Sequence, residues 1–259
     1  MRRATWDGEA YAVTAEHHRA LDAWFIDRHP PRPSDVVVDL GCGSGEFTAR
    51  LASLVPQGRV VGVDADSSMI AAARRHERPN LTFLEVPAES VDGFVDAASV
   101  DLVVSRAMLH WLPVHVYPKV FAAVQAILRP GGWYHSESAG AGNVPAVLAL
   151  LDDLAGQLEL RRPPRFPDPG VVFDLLEAAG FRIPVDGVRS VAQRRRMDRP
   201  AVVGFLRNQA APALAREADP GRAAEVVESV AAEADRLQRD DGSYDQTFVR
   251  LELLVQRPD

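Results

Sequence analysis

Two carboxylates and three glycines carry the chemistry that is legible first. Residues Val36 to Phe47 run Val-Val-Val-Asp-Leu-Gly-Cys-Gly-Ser-Gly-Glu-Phe. A β-branched stretch ends in an acid, Asp39, glycines follow at alternate positions (Gly41, Gly43, Gly45), and a helical pattern begins at Glu46. Continuous valine runs mark buried parallel strands. Glycines let a ligand approach the backbone closely, and a helix start offers unpaired N–H groups. The stretch therefore reads as a ligand-binding turn at the carboxyl end of a first strand. A second acid, Asp64, closes the run Arg59-Val-Val-Gly-Val-Asp. It lies about twenty residues past the glycines, where one carboxylate accepts hydrogen bonds from both hydroxyls of a ribose. A dinucleotide fingerprint needs Gly-x-Gly-x-x-Gly. Here the third glycine comes one residue early and Glu46 occupies its place, where a carboxylate would repel a pyrophosphate. The Gly-Lys-Ser/Thr of a nucleotide-hydrolase loop is also missing, and Asp39 suits a ligand that carries an amine.

The run Val38-Asp39-Leu40-Gly41-Cys42-Gly43-Ser44-Gly45 resembles motif I of the class I S-adenosylmethionine-dependent methyltransferases, and Asp64 matches that family's motif II. The resemblance implies that Asp39, Gly41, Cys42, Gly43 and Gly45 hold the aminocarboxypropyl part of S-adenosylmethionine. It puts Asp64 on the ribose and Ala65 and Met69 beside the adenine. Further along, the family often has an acid followed by alanine. In Pro87-Ala88-Glu89 a proline stands where that acid would be, which leaves the Ala88 N–H for an adenine ring nitrogen and Glu89 for the amino group. Ser105 corresponds to a residue whose carbonyl meets the cofactor's ammonium. Trp6 to Tyr11 and Leu109-His110-Trp111-Leu112-Pro113 resemble the trans-aconitate methyltransferase-like (type 11/25) branch. There Tyr11 would belong to a segment closing over the cofactor, and His110 and Trp111 would line the junction of cofactor and acceptor. Arg129-Pro130-Gly131-Gly132 matches the turn the family places before strand five. The resemblance is strong over Val36 to Ala139 and loose beyond.

The implied reaction is methyl transfer to a small-molecule acceptor, leaving S-adenosylhomocysteine. O-methylation is favoured, N- or C-methylation is open, and bacterial specialised metabolism is the expected setting. Alignment of the nucleophile does most of the work in such a displacement. A carboxylate acceptor needs no base; a hydroxyl would be helped by a histidine. His110 is the first candidate base, followed by His18, His17 and His135, each with a plainer reading as a packing or surface histidine. A non-methylating use of the same fold, such as a cyclisation, is the alternative, and Glu46 argues against a nicotinamide oxidoreductase. Ser105-Arg106-Ala107-Met108 stands where amino methyltransferases of bases carry Asn/Asp-Pro-Pro-Tyr. No acid cluster or cysteine pair suggests a metal.

These residues need a frame. The 259 residues suffice for one α/β domain with a cap. A net charge of −7 argues against nucleic acid as a partner. Cys42 is the single cysteine and reads as a small buried side chain rather than a nucleophile. No apolar run reaches membrane-spanning length and no signal core is visible, so a cytoplasmic protein is expected, monomeric or homodimeric. Strands are expected at Val36 onward, Arg59 to Asp64, Leu81 to Val86, Val100 to Arg106, Trp133 to Ala139, Val185 to Met197 and Phe248 to Val255. Ser67 is expected to cap the helix after strand two, and Asp168 and Gly180 to start and stop a later one. The fold class is α/β: a Rossmann-like, doubly wound seven-stranded sheet, mostly parallel with a reversed last strand beside strand five, plus a helical lid. The expected divisions are an N-terminal lid helix (1–33), a cofactor-binding core (34–139), a lid insert (140–166), a core continuation (167–197), a helical cap (198–242) and a final core strand (243–259). Arg161, Arg162 and Arg165, and Arg194 to Arg196, read as solvated, acid-paired arginines rather than a substrate clamp.

Overall fold

A computed structural model describes residues 16–259, with side chains from Asp22 onward. Tyr11, the Trp6-to-Tyr11 segment and the histidine side chains of His17 and His18 lie outside the described residues. Helix α1 (Glu16–Arg28) is the first element. It stops just before Pro30 and Pro31, which prevent continuation.

Seven strands form one sheet: β1 (Val36–Leu40), β2 (Arg59–Asp64), β3 (Leu81–Glu85), β4 (Val100–Arg106), β5 (Leu128–Ala139), β6 (Val188–Arg195) and β7 (Gln246–Gln256). Their spatial order is β3-β2-β1-β4-β5-β7-β6. The first five run parallel, with Val38 of β1 opposite Val61 of β2 and Val103 of β4. β7 is reversed beside β5, as expected: Gly140 donates to Val249 and Arg257 to Gly132. The chain order reverses between β1 and β4, which is where open α/β sheets bind ligands.

Helices α2 (Glu46–Leu54) and α3 (Ser67–Ala73) follow β1 and β2. With α1 they cover one face, packing Phe25, Leu51 and Ile70 on Val37, Val60, Leu102 and Val104. Helices α4 (Tyr117–Ile127) and α6 (Pro169–Ala178) cover the other, packing Phe121, Val124 and Leu176 on Val38, Leu40, Val103, Tyr134 and Leu253. The alternation of side chains along each strand sorts the two layers. Between them in sequence lies α5 (Pro145–Gln157).

The chain divides into two compact units. The sheet unit holds residues 16–139, Pro167–Ser190 and Leu251–Asp259. The other holds Gly140–Phe166 and Val191–Arg250. This second unit includes α5 and three further helices, α7 (Arg199–Phe205), α8 (Ala211–Ala215) and α9 (Ala223–Ala232), around Val147, Leu151, Val202, Leu206, Leu214, Val226 and Val230.

Two local expectations are corrected. Asp66, not Ser67, caps α3: its carboxylate accepts from the N–H groups of Ser68 and Met69. Asp66 sits one residue earlier in extended backbone, the conformation a capping side chain needs. Arg129 to Gly132 is a bulge inside β5 rather than a turn before it. Val100 opposes Leu128 while Leu102 opposes Trp133, and the bulged residues pair with the chain end through Gly131 to Arg257 and Arg257 to Gly132. Asp168 caps α6 and Gly180 ends its turn at φ 84°, as read.

Candidate active site

β1 ends at Leu40, and the chain then makes its turn with Gly41, Gly43 and Gly45 all at positive φ (73°, 55° and 87°), a region that L side chains rarely enter. Gly41 has a second reason. A Cβ there would lie 2.4 Å from Cγ of Met108, so the turn is shaped jointly by β1 and by the segment after β4. Gly41 and Cys42 both donate to the Val63 carbonyl at the end of β2, at 2.7 and 3.0 Å.

Asp64, the last residue of β2, ties the same turn from the other side. One carboxylate oxygen accepts from the Gly43 N–H at 3.0 Å and the other from the Asp66 N–H at 2.9 Å. Burial pushes its carboxyl up from the ordinary range, opposed by those backbone N–H groups. The Ala65 N–H also bears on the carboxylate, whose four lone pairs leave capacity for a further donor. Ala65 follows it half-buried, and Met69 is buried on α3.

Asp39 lies on the opposite side of the turn, buried under α2. It accepts from the Thr48 hydroxyl at 2.7 Å. Burial raises its carboxyl to about 7, against the lowering effects of Thr48 and of the Arg106 charge. A carboxylate poised this way gains most from a cationic ligand group, because a nearby positive charge favours its ionised form.

Glu46, at the first position of α2, accepts from the Ser44 hydroxyl at 2.5 Å and pairs with Arg75. Partial burial works against its charge, yet the Ser44 hydroxyl, its backbone contact and Arg75 outweigh it and hold the carboxyl below the usual range. A fixed negative charge therefore stands at this helix start, which explains physically why a pyrophosphate is unwelcome there. The Cys42 thiol is buried and held well above its ordinary value by burial and by Asp39 and Asp64, so it stays protonated. That fits a packing role.

Ser105 and Arg106 end β4 on opposite faces. The Ser105 side chain is buried, and Arg106 turns under α1, where it pairs with Asp22 and lies over the rings of Phe25 and Phe47. Ala107 then takes φ 52°, rare for a residue with a Cβ, held by its N–H bond to Glu137 at 2.7 Å. This kink carries Met108 over Gly41 and His110 to the end of β5, where its Nδ1 accepts from the Ala139 N–H at 3.3 Å. Trp111 lies against it, ring centres 5.2 Å apart. The segment Ala107–Trp111 thus spans the carboxyl edge from above β1 to above β5.

His135 is corrected as a candidate base. It is 1% exposed and stacked on Phe25 at 3.8 Å, and burial lowers it to about 3, so it is a neutral packing histidine. Pro87 begins a short helical turn, Ala88–Gly93, which leaves Ala88 and Glu89 half-buried beyond the end of β3. Among the described residues no three His, Cys, Asp or Glu side chains gather as a metal site would require, and no helix is long and apolar enough to cross a membrane. Sequence reasoning missed Met108, Asp22 and the role of Arg106. The last had a signal: an arginine on the otherwise apolar face of Leu102 and Val104 needs a buried partner.

The arrangement fits S-adenosylmethionine: an approachable glycine turn, an acid beside it for a cation, and a second acid with lone pairs to spare. The family described as "Methyltransferase domain" matches residues 37–132. A trans-aconitate 2-methyltransferase of Deinococcus radiodurans is 45% identical over 128 residues, 49% of this chain and 47% of that protein. One from Azoarcus is matched over 48% of its length, so the chain spans about half the length of these relatives. An uncharacterized methyltransferase of Schizosaccharomyces pombe is 31% identical over 69% of this chain and 71% of its own. The YcgJ protein of Bacillus subtilis shares the fold, with a TM-score of 0.63 at 16% identity over 93% of this chain and all of that one. The chain belongs to the class I S-adenosylmethionine-dependent methyltransferase family.

Proposed function

We propose that this protein transfers a methyl group from S-adenosylmethionine to a carboxylate oxygen of a small organic acid. The observation that carries this is Asp64. It closes β2, accepts from Gly43 in the turn after β1, and so couples a ribose-binding acid to the loop that takes the amino-acid end of the cofactor. In this reading Asp64 binds the ribose, with Ala65 and Met69 on the adenine. Asp39, Gly41, Cys42, Gly43 and Gly45 hold the aminocarboxypropyl group, Ser105 receives the ammonium, and Ala88 and Glu89 take the adenine edge left without its usual acid by Pro87. When bound, the cofactor supplies an activated methyl group on a sulfonium. The protein's part is to hold the acceptor in line with it, and orientation alone is worth about 7–11 kcal/mol. The names of the Deinococcus and Azoarcus relatives support a carboxylic acid acceptor. The absence of a required base for a carboxylate accords with a site whose one described edge histidine is His110.

The test is calorimetric titration with S-adenosylhomocysteine of the wild type and Asp64→Ala, followed by mass analysis of trans-aconitate incubated with S-adenosylmethionine. Micromolar binding that weakens at least a hundredfold in the variant, and a gain of one methyl by the acid, are the expected results. No binding to the wild type would sink the reading. Turnover of the cofactor without methyl gain would favour the non-methylating alternative instead.

A further inference from the structure

We infer that Asp22 is a positioning residue for the cofactor: its carboxylate ties α1 to both walls of the glycine turn, so that docking of α1 and binding of the cofactor support one another. This rests on the cofactor assigned to the site. β4 supplies the cation. Asp39 opposes Val104, and Arg106 stands two residues further along on the same face, where β1 has already given way to the turn. Both helices of that face receive it. The rings of Phe25 on α1 and Phe47 on α2 lie 5.3 and 4.7 Å from its guanidinium carbon, and the two rings meet edge-on at 5.8 Å. Asp22 closes the junction from α1. One of its oxygens pairs with Arg106, and the other pairs with Arg50 of α2 at 3.3 Å.

Each tie leads to the turn. Arg106 precedes Ala107, whose left-handed kink carries Met108 over Gly41. Phe47 is the second residue of α2, directly after Gly45 and Glu46. Asp22 thus bears on Gly41 from the β4 side and on Gly45 from the α2 side. The Arg50 tie is the weaker, since that side chain is 47% exposed. Apolar packing alone would bury these groups without fixing their angles, whereas charge-assisted hydrogen bonds are directional. The junction also reaches Asp39. Burial dominates that carboxyl and Thr48 opposes it; Arg106 then favours the ionised form, while Asp64 and Asp22 disfavour it. Linkage makes the effect mutual: a ligand that needs the turn in this geometry must also favour the docked α1.

Amide hydrogen exchange of the full chain, with and without saturating S-adenosylhomocysteine, reads the coupling directly. Slower exchange is expected both in the turn from Gly41 to Gly45 and in α1 from Asp22 to Arg28. Protection of the turn with none in α1 overturns the inference. No response in either, together with no heat of binding, is the separate failure of the cofactor assignment. The variant Asp22→Leu with Arg106→Met strands no buried charge, so its unfolding midpoint should stay close to wild type. Its affinity for S-adenosylhomocysteine, measured well below that midpoint, should still fall about tenfold, and the ligand should no longer protect α1. Affinity within about twofold of wild type, with α1 still protected, would mark the ion pair as merely structural. Asp22→Asn, titrated under the same conditions, should show the same loss, and it decides the matter alone if the double variant does not fold.

Discussion

The two units use charge in opposite ways. In the sheet unit two charge clusters are buried, Arg106 with Asp22 under α1, both side chains under a tenth exposed, and Glu252, wholly buried, between Arg28 and Arg189, beside the exposed arginine pairs of Arg50, Arg75 and Arg129. In the helical unit, Arg199 with Asp235, Arg207 with Glu228 and Arg236 with Asp153 are pairs between side chains that are each 44% exposed or more. Geometry alone does not separate the two sets, since the helical pairs are short and two are bidentate. Solvation does. A charge in water has little to gain from a partner, whereas a buried one has nowhere else to turn. Arg106 and Arg28 therefore brace buried acids of the sheet unit, and Arg199, Arg207 and Arg236 keep the helical unit's surface wet.

The largest test of that contrast is Arg106→Met. It leaves Asp22 in place without its closest buried partner and removes the cation stacked on Phe25 and Phe47. Breaking one side of a buried pair costs about 3–5 kcal/mol, which thermal unfolding would register as a drop of many degrees. The paired variant Asp22→Leu with Arg106→Met should recover most of the loss, because no buried charge is then stranded. Little change in the single variant would mean that Asp22 is reached by water and that the contrast is false.

Gly41→Ala probes the backbone side of the same frame. The added Cβ meets Met108 and inherits a φ of 73°. Strain of this kind costs about 1–3 kcal/mol, and S-adenosylhomocysteine affinity should fall with it. Adding Met108→Gly removes both clashing atoms, Cγ and the Cβ at 2.6 Å, and leaves the φ cost, so the double variant should regain part of the affinity and not all of it. Full recovery would show that the positive φ is unimportant.

Why the glycine turn was legible and its supports were not follows from what each requires. Asp39, Gly41, Gly43, Gly45 and Asp64 are fixed by local backbone needs, positive φ and strand ends, and these leave a residue pattern. The parallel strands were equally plain, since burial on both faces demands unbroken valine runs. Met108 over Gly41, Asp22 under Arg106 and Ala139 against His110 are contacts between elements far apart in sequence, and such pairings have no spacing rule. The capping of α3 shows the same thing on a small scale: Asp66 and Ser67 are both good caps by type, and only the extended backbone at Asp66 chooses between them. In the helical unit the sequence carries no motif that marks a ligand.

Asp39 offers a smaller effect. Its folded carboxyl is raised to about 7 from 3.8 by burial. Between those values the folded protein holds a proton that the unfolded chain has lost, so stability from this group falls as pH rises through that window. Ligand binding runs the other way. A cationic group favours the carboxylate, so S-adenosylmethionine affinity should weaken about tenfold as pH drops from about 8 to about 6, with proton release at neutral pH detectable by calorimetry in buffers of different ionisation enthalpy. Asp39→Asn should bind more weakly and without that slope. A slope that survives in the variant would assign the proton to another group, with Asp64 the next to replace.

The smallest expected effect is the sharpest check on the opening contrast. Arg207 reaches Glu228 with two hydrogen bonds, at 2.9 and 2.7 Å, a geometry that on inspection alone ranks above most pairs in the sheet unit. Yet both side chains are solvated, and holding them together costs rotamer freedom that water-screened attraction hardly offsets. Arg207→Gln should leave the unfolding midpoint unchanged within error, at low salt and at high salt alike. If instead the midpoint falls at low salt and the loss vanishes at about 1 M, where screening reaches only about 3 Å, then the exposed arginines of the helical unit are structural after all. Burial, in that event, would not be what distinguishes the two regions.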